Sequence, residues 1–471
     1  MKIKNIFELN SDRLKFRGKP RLMKPIPTLL FFGVIFLFSI SCKREKVVGI
    51  SGYPLHQPPN GGKPNIIFVL GDDVGYEMPT FDGGQSYNTM HLDSLAANAL
   101  VFTQCNATPL CSPSRVELLS GLYNFRNYMK YGWGAYDTTY TSYAKVLQQN
   151  GYKTCVVGKW QLDGASLGIE NTGFDSFCVW DESNSVWAQS HYRSPRLYAN
   201  SGVLTSIMTA GQYSEDITAD YAYNFIDQNK DKPFFIYYSF NLVHSPHQPT
   251  PLDARFKEPY DDINLEDTTY IGSMTHYMDI KVGALINKLK SDGLDKNTII
   301  VFAGDNGSQA DYHSRFNGQL VQGQKGLTTQ YGTHVPLFVY WPGHIAPGTD
   351  NNLVDFTDFY PTFLDMAGVI NRPAKVDGVS FYPQLFGNNS SARSWIYCYF
   401  DPFPLKFATF SVTNPISYAQ DADYKLYKTG NKAGNFYHFT ADLKEKRPLT
   451  QLTSSEVAIK QKLQAALNNY Q

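Results

Sequence analysis

The sequence predicts an α/β fold in which a large, mixed, mostly parallel sheet carries helices on both faces, followed by a smaller C-terminal antiparallel sheet with a packed helix. Continuously apolar runs rich in β-branched and aromatic residues, such as 64–70 and 298–302, are typical of strands buried on both faces. Helix-like segments separate these runs, and that alternation favours a parallel or mixed sheet. After about residue 375 the chain changes to short aromatic strands, which predict the second sheet.

Each element is predicted from its own local pattern. The strands are apolar runs that end at glycine or polar residues, and the helices are amphipathic segments bounded by capping or turn residues. In the first part of the chain we predict strands at 64–70, 153–157, 234–240, 298–302 and 335–341, and helices at 114–122, 140–150, 215–228, 277–289 and 358–368. In the C-terminal part we predict strands at 394–400, 424–429 and 434–439 and a helix at 454–470. Polar residues follow several strands of the first set, so we expect them to meet at one rim of the sheet.

Charge and cysteine content argue against a nucleic-acid-binding protein and against a small disulfide-rich or cysteine-ligated metal fold. The 471 residues include 42 basic and 42 acidic side chains, so the formal net charge is zero and no nucleic-acid partner is expected. A hydrophobic fraction of 42% is enough for a large core. The six cysteines show neither metal-ligand spacing nor a dense disulfide framework.

The N-terminal residues indicate export. The apolar stretch 29–40 is short for a membrane span, follows Lys24 and ends at Ser41-Cys42. Small residues before a cysteine are similar to a bacterial lipoprotein signal, which predicts a membrane anchor on Cys42 in the periplasm or at the cell surface. A plain secretory signal and an uncleaved anchor are the alternatives. We divide the chain into a signal peptide, a Pro- and Gly-rich tether, a main α/β domain and a C-terminal subdomain, at 1–42, 43–62, 63–375 and 376–471.

One cysteine stands at a predicted helix start. In the run from Pro109 to Gly121, the Ser-Pro-Ser sequence after Cys111 is typical of a helix N-terminus. Arg115 lies four residues after Cys111 and therefore on the same helix face. The free N–H groups and the positive end of the helix dipole favour a bound anion there.

The same run resembles the signature of the type I sulfatases. From Cys111 to Gly121 the sequence is Cys-x-Pro-Ser-Arg-x-x-Leu-x-Ser-Gly. The resemblance extends from about Pro64 to the C-terminus, and it implies the α/β fold of the alkaline phosphatase superfamily with 63–375 as the catalytic domain. Because this family oxidises the cysteine to formylglycine, the resemblance also implies that modification at Cys111 and a maturase as partner.

Two pairs of oxygen donors follow predicted strands, Asp72-Asp73 and Asp305-Asn306. Oxygen ligands without histidine or cysteine suit Ca²⁺ or Mg²⁺ rather than zinc. A Gly-Asp pair alone indicates a turn just as well. The resemblance implies that both pairs bind a divalent cation together with the modified Cys111, and Ca²⁺ is expected ahead of Mg²⁺.

Three basic residues complete the expected anion site. Gly158-Lys159-Trp160 and Lys325-Gly326 resemble family segments, and Arg115 belongs to the signature itself. The resemblance implies that Arg115 orients the formylglycine while Lys159 and Lys325 hold the sulfate oxygens. Cations at short range would stabilise the charge that collects as the S–O bond breaks.

Two histidines are candidates for the general acid. The run Val243-His-Ser-Pro-His-Gln-Pro-Thr-Pro251 contains two His-x-Pro units, and in the family one such histidine protonates the leaving oxygen. Comparison with family patterns favours His244, with His247 as the alternative. His334 is expected to have a structural part.

The chain departs from the family at one position. The family usually has Gly-Lys-Trp-His-Leu-Gly, whereas this chain has Gly158-Lys-Trp-Gln-Leu-Asp-Gly164. Gln161 replaces a histidine that contacts the formylglycine, and an amide forms hydrogen bonds but does not act as a base at neutral pH.

Together these residues predict a sulfatase that hydrolyses sulfate esters, with sulfated carbohydrate as the expected substrate class. One alternative is a phosphonate monoester or phosphodiester hydrolase of the same superfamily. The other is a catalytically degenerate lipoprotein that keeps the fold and binds glycans.

Overall fold

The computed structural model describes residues 62–127, 129, 136–162, 165–180, 191–257, 266–370, 372, 375–401 and 415–470, without the side chains of 165–167. The predicted signal peptide with Cys42, and the predicted tether apart from Gly62, lie outside these residues. The described residues belong to one compact unit, while the boundary predicted near residue 375 stays a prediction. Within the described part of the chain, no helix has the length and hydrophobicity needed to span a bilayer.

The strands of the first part of the chain form one large sheet and a separate hairpin. They are β1 Asn65–Gly71, β2 Leu100–Asn106, β3 Lys153–Gly158, β4 Ser176–Trp180, β5 Leu197–Ala199, β6 Gly202–Leu204, β7 Phe234–Ser239, β8 Thr298–Gly304, β9 His313–Phe316, β10 Gln319–Gln322, β11 His334–Val335, β12 Leu337–Tyr340 and β13 Gly348–Asp355. The large sheet has the order β11-β2-β12-β8-β1-β7-β3-β4-β5-β6, with β13 also paired to β2. The strands β9 and β10 form a separate two-stranded sheet.

The helices of the same part alternate with the strands along the chain. They are α1 Met90–Ala96, α2 Cys111–Ser120, α3 Tyr143–Gln149, α4 Ala165–Thr172, α5 Ser214–Gln228, α6 Ile271–Ser291, α7 Gln330–Thr333 and α8 Phe359–Met366. Side chains of α2, α3 and α8 belong to one buried apolar cluster, and those of α1, α5 and α6 belong to another.

Alternation along β1 shows why both faces are covered. Ile66, Phe68 and Leu70 enter the first cluster, whereas Ile67 and Val69 enter the second. Successive strand residues point to opposite faces, so a strand covered on both sides must be apolar throughout. The continuous apolar runs therefore correctly predict the doubly covered sheet.

The pairing is mostly parallel, as predicted. The central strands β8, β1, β7, β3 and β4 run parallel to one another. Towards the two ends of the sheet, β12 runs antiparallel to both β2 and β8, and β5 runs antiparallel to β4. The strand predicted at 335–341 is two strands, β11 and β12, on either side of Pro336. Proline has no N–H to donate to the ladder, which explains the interruption.

A second sheet closes the chain. Its antiparallel order β14-β15-β16-β17 is built from Ile396–Phe400, Ile416–Gln420, Tyr424–Tyr427 and Phe436–His438. The helix α9, Ser454–Asn468, packs on it through Leu463, Ala466 and Leu467. The predicted small antiparallel sheet with a packed helix is thus confirmed.

Candidate active site

Parallel strands deliver the predicted polar residues to one edge of the large sheet. Because β1, β3, β7 and β8 run in the same direction, their carboxyl ends lie side by side. Gly71 of β1 is paired with Gly304 of β8, so the acidic residues that follow these two strands are neighbours. The residues delivered to this edge are Asp72 and Asp73 after β1, Lys159 after β3, His244 beyond β7, and Asp305 and Asn306 after β8.

Cys111 is the first residue of α2, as the sequence predicts. Thr108 and Ser114 fix the entry to the helix, since the Ser114 hydroxyl accepts from the Thr108 N–H at 3.1 Å and lies 2.7 Å from the Thr108 hydroxyl. The Cys111 side chain is buried, and burial raises the pKa of its thiol. A neutral thiol is a poor nucleophile, so an unmodified Cys111 is poorly suited to attack.

Cys111 lies beside the acidic residues. The sulfur of Cys111 and one carboxylate oxygen each from Asp72 and Asp305 all lie within 4.8 Å of one another. The Asp73 N–H donates to Asp305 Oδ1 at 3.1 Å, and the Asn306 amide donates to Asp73 Oδ1 at 2.7 Å. The two predicted donor pairs therefore form one cluster around the start of α2.

This cluster fits a hard cation. Asp72 Oδ1 and Asn306 Oδ1 are buried and have no hydrogen-bond partner among the described residues. Buried oxygens without a donor are costly, and a divalent cation beside them would satisfy both. Burial and the Asp72 charge raise the pKa of Asp305 to about 6, a direction expected where carboxylates are held close together.

Arg115 is completely buried and contacts the acidic cluster through Asp305. Its guanidinium donates to Asp305 Oδ2 at 2.8 Å, to the Ser239 hydroxyl at 2.6 Å and to the Lys159 carbonyl at 3.0 Å. It therefore ties together residues at the ends of β8, β7 and β3. These contacts fit a residue that positions the site.

Each lysine is paired with one acidic residue of the cluster. Lys159 Nζ lies 2.5 Å from Asp72 Oδ2, and Lys325 Nζ lies 2.6 Å from Asp73 Oδ1. Burial lowers the pKa of each ammonium, but the Asp72 and Asp73 charges outweigh it and raise both pKa values overall. Both lysines are consequently charged at neutral pH, as an anion site requires.

His244 faces the same cluster. Its Nε2 lies 3.9 Å from Asp73 Oδ2, and its Nδ1 is 2.6 Å from the Ser245 carbonyl. A carbonyl only accepts, so Nδ1 carries a proton and Nε2 is directed to the cluster. Burial and the charges of Lys159 and Lys325 hold the pKa of this imidazole well below its usual value.

His247 has a different setting. Its ring is buried, with Nδ1 on the Glu266 carboxylate and Nε2 at 2.7 Å from the Tyr312 hydroxyl. That hydroxyl also lies 2.5 Å from the Val243 carbonyl, next to His244. The structure brings His244, and not His247, against the acidic cluster.

Other residues at this edge were missed by the sequence analysis. Gln309 donates to Asp73 Oδ2 at 2.6 Å, from the loop that follows β8. His191 packs on Trp180 with ring centroids 3.9 Å apart and lies parallel to His244 at 6.3 Å. Trp180 ends β4, which pairs with β3, the strand before Lys159. No strand was predicted at 176–180, so no sequence pattern placed Trp180 or His191 at this edge.

The departure at Gln161 lies beside the cluster. Gln161 has φ of +59°, a left-handed conformation that is uncommon outside glycine. Its carbonyl accepts from the Ser112 hydroxyl at 3.2 Å, which joins it to the first turn of α2. His334, for which a structural part is predicted, stacks on Tyr76 with ring centroids 3.8 Å apart.

The carboxylates, the lysines and the helix start gathered at one edge of the sheet form a site suited to the hydrolysis of an anionic ester. The family model for sulfatases matches residues 64–369, and the model for the C-terminal part of N-sulphoglucosamine sulphohydrolase matches residues 324–471. The chain belongs to the sulfatase family and is a sulfuric ester hydrolase.

Two sequence relatives agree with this assignment, and one solved structure agrees with the fold. The chain is 29% identical over 399 residues to the uncharacterized sulfatase YdeN of Escherichia coli, with 72% of this chain and 69% of YdeN covered. It is 27% identical over 418 residues to N-acetylgalactosamine-6-O-sulfatase of Bacteroides thetaiotaomicron, with 72% and 79% covered. The structure of BT4656 in complex with its substrate D-glucosamine-2-N,6-O-disulfate superposes with a TM-score of 0.69 at 24% identity, covering 86% of this chain and 97% of that one.

Proposed function

We propose that this enzyme removes sulfate from sulfated saccharides, using a formylglycine made from Cys111 and a divalent cation. The observation that carries the proposal is the juxtaposition of the Cys111 sulfur with oxygens of Asp72 and Asp305, beside two lysines that each pair with an acidic residue. This juxtaposition supports placing the nucleophile, the cation and the sulfate group within one cluster.

Formylglycine supplies the chemistry that a buried thiol lacks. When hydrated, the aldehyde offers one hydroxyl for attack on sulfur and a second whose deprotonation releases sulfate as the carbonyl forms again. The maturase that makes it is the expected partner of the chain. Intact-mass measurement of active enzyme tests this part, and active enzyme that carries an unmodified cysteine would refute it.

The cation would be held by Asp72, Asp73, Asp305 and Asn306 beside residue 111. When bound, it would favour the ionised form of a hydroxyl at that residue. An all-oxygen donor set suits Ca²⁺ ahead of Mg²⁺, because Ca²⁺ accepts more oxygens with looser geometry. Calorimetric titration of chelator-treated enzyme with each ion tests the preference, and tighter binding of Mg²⁺ would overturn it.

The lysines and His244 have separate tasks. Lys159 and Lys325 hold sulfate oxygens, and His244 Nε2 gives a proton to the leaving alcohol oxygen. The bound sulfate ester carries a negative charge that offsets the two ammonium charges, so its binding favours the protonated imidazole that this step needs. A His244→Ala variant should therefore lose more activity on substrates with poor leaving groups than on aryl sulfates.

The carbohydrate class is supported by a relative whose name specifies a sulfated amino sugar, N-acetylgalactosamine-6-O-sulfatase. The test is a screen of defined sulfated saccharides with enzyme co-produced with its maturase, read out as released sulfate. Aryl phosphonates form a second arm, because Gln161 weakens the match to standard sulfatases. Faster turnover of phosphonates than of any sulfate ester would favour the superfamily alternative, and binding of saccharides without turnover would favour the degenerate glycan-binding alternative.

We also propose that the enzyme is exported and anchored by a lipid on Cys42. The support is the sequence alone, with an apolar stretch at 29–40 that ends in Ser41-Cys42. Labelling of the wild type with a fatty-acid analogue, and loss of the label and of membrane association in a Cys42→Ala variant, is the expected result. Equal labelling of both would exclude Cys42 as the lipid site.

A further inference from the structure

The loop that carries Lys325 is held by backbone hydrogen bonds at the lysine itself and at the next residue. The Lys325 N–H donates to the Ser308 carbonyl at 2.9 Å, in the loop that follows Asp305 and Asn306. The next residue, Gly326, donates to the Pro109 carbonyl at 2.8 Å, two residues before Cys111. These backbone contacts set the base of the lysine relative to the acidic cluster and to the start of α2.

The third support for this loop comes from the C-terminal sheet. Lys425, on β16, donates from Nζ to the Thr328 carbonyl at 2.6 Å. The hydroxyl of Tyr427, on the same strand, lies 3.0 Å from the Thr328 hydroxyl. Thr328 is three residues from Lys325, so the second sheet directly contacts the segment that presents this lysine.

The Lys425 ammonium is itself fixed. It donates to Glu445 Oε1 at 2.8 Å, and both side chains are completely buried. It also lies 4.4 Å from the ring centroid of Tyr418, within the range of a cation–π contact. Glu445 Oε2 accepts from the Tyr427 hydroxyl at 2.5 Å, so the pair and the loop contact form one network.

A gain in folding stability does not by itself explain the buried Lys425–Glu445 ion pair. Removing two charges from water costs about as much as their attraction returns, and apolar replacements of buried pairs are often neutral or stabilising. The Lys425 ammonium donates to Glu445 and to the Thr328 carbonyl at the same time, so it fixes the position of the loop that carries Lys325. A methionine of similar length would fill the space without holding Thr328.

We propose that Lys425, held by Glu445, is a positioning residue for catalysis, which fixes the loop 324–329 so that Lys325 is presented to the sulfate group. The inference rests on the proposed function in one respect, namely that Lys325 binds sulfate. It assigns the C-terminal sheet a part in the reaction through backbone geometry, without contact between Lys425 and the substrate.

The test is a double-mutant cycle on enzyme co-produced with its maturase, with 4-nitrophenyl sulfate as substrate. Lys425→Met should lower kcat/KM by about tenfold, in the range of coupling within one hydrogen-bond network. Lys325→Ala should lower it further, and the double variant should be no worse than Lys325→Ala alone. Lys432→Met is the matched control, because Lys432 pairs with the same Glu445 at 2.7 Å but is partly exposed.

A second variant distinguishes a folding defect from a loss of loop positioning. Lys425→Met combined with Glu445→Gln leaves no unpaired buried charge, and it should fold while keeping the same loss of kcat/KM. Wild-type kinetics in this folded variant, or losses in the Lys325/Lys425 cycle that multiply, would overturn the inference and leave the proposed function intact. Wild-type kinetics in Lys325→Ala would instead refute the role of Lys325 on which the inference depends.

Discussion

Replacement of Glu215 by glutamine should change how stability depends on pH. Glu215 lies in the first turn of α5, is completely buried, and accepts from the Asn241 N–H at 2.9 Å. Burial raises the pKa of its carboxyl from 4.5 to about 7, against the hydrogen bond from Asn241. Glutamine has the same shape and keeps an acceptor oxygen for Asn241, but it does not ionise.

The sign follows from proton binding. Between pH 4.5 and pH 7 the folded chain keeps the Glu215 proton while the unfolded chain releases it, so wild-type stability falls as the pH rises through this window. The interval of roughly 2.5 pKa units corresponds to about 3 kcal/mol, of which about 2 to 3 kcal/mol falls between pH 5 and pH 8. Other carboxyls contribute equally to both proteins and cancel in the difference.

Urea unfolding followed by tryptophan fluorescence at several pH values measures this difference, with one common m value for both proteins. The free energy of unfolding of Glu215→Gln should rise relative to wild type by the stated amount from pH 5 to pH 8. Glu170→Gln, an exposed position on α4, removes a carboxylate without burial and serves as the control. A gap between Glu215→Gln and wild type that is constant or narrows with pH would refute the reasoning.

Three further changes test the site and its support. Asn306→Ala removes a buried oxygen of the cluster and should weaken Ca²⁺ binding about tenfold or more, measured by calorimetry. Gln161→His places an imidazole beside the nucleophile and should raise kcat on aryl sulfates severalfold, because imidazole accepts a proton at neutral pH. Arg393→Met leaves the buried Asp358 without its charged partner and should lower the free energy of unfolding by about 3 to 5 kcal/mol, measured by urea unfolding.

For each of these three variants, one outcome would contradict the role assigned to the residue. Unchanged Ca²⁺ affinity in Asn306→Ala would remove that residue from the cation site. An unchanged or lower kcat in folded Gln161→His would show that proton removal near this position does not limit turnover. An Arg393→Met variant as stable as wild type would show that the Asp358 charge is compensated by other groups.

The local sequence pattern was sufficient to predict a strand or helix wherever burial alone decides the residue type. The run at 64–70 is apolar because β1 is covered on both faces. Pro113 lies in the first turn of α2, where a missing N–H leaves no helix hydrogen bond unmade. By contrast β13, with the sequence Gly-Thr-Asp-Asn-Asn-Leu-Val-Asp, has little apolar periodicity and was not predicted. In the large sheet it pairs with β2 and is partly exposed, and exposure permits polar residues.

The sequence by itself determined which chemical groups are present and which strand or helix carries them. It identified Cys111, two acidic strand ends and two lysines, because each depends on residues adjacent in the chain. Only the tertiary structure decided their contacts, since side chains from distant elements meet where the parallel strands end. It directs His244 to the cluster and His247 to Tyr312, although both belong to similar His-x-Pro units. It also connects Lys425 to Thr328, in the loop of Lys325. These two residues are 97 positions apart in the chain, so no local pattern specifies their contact.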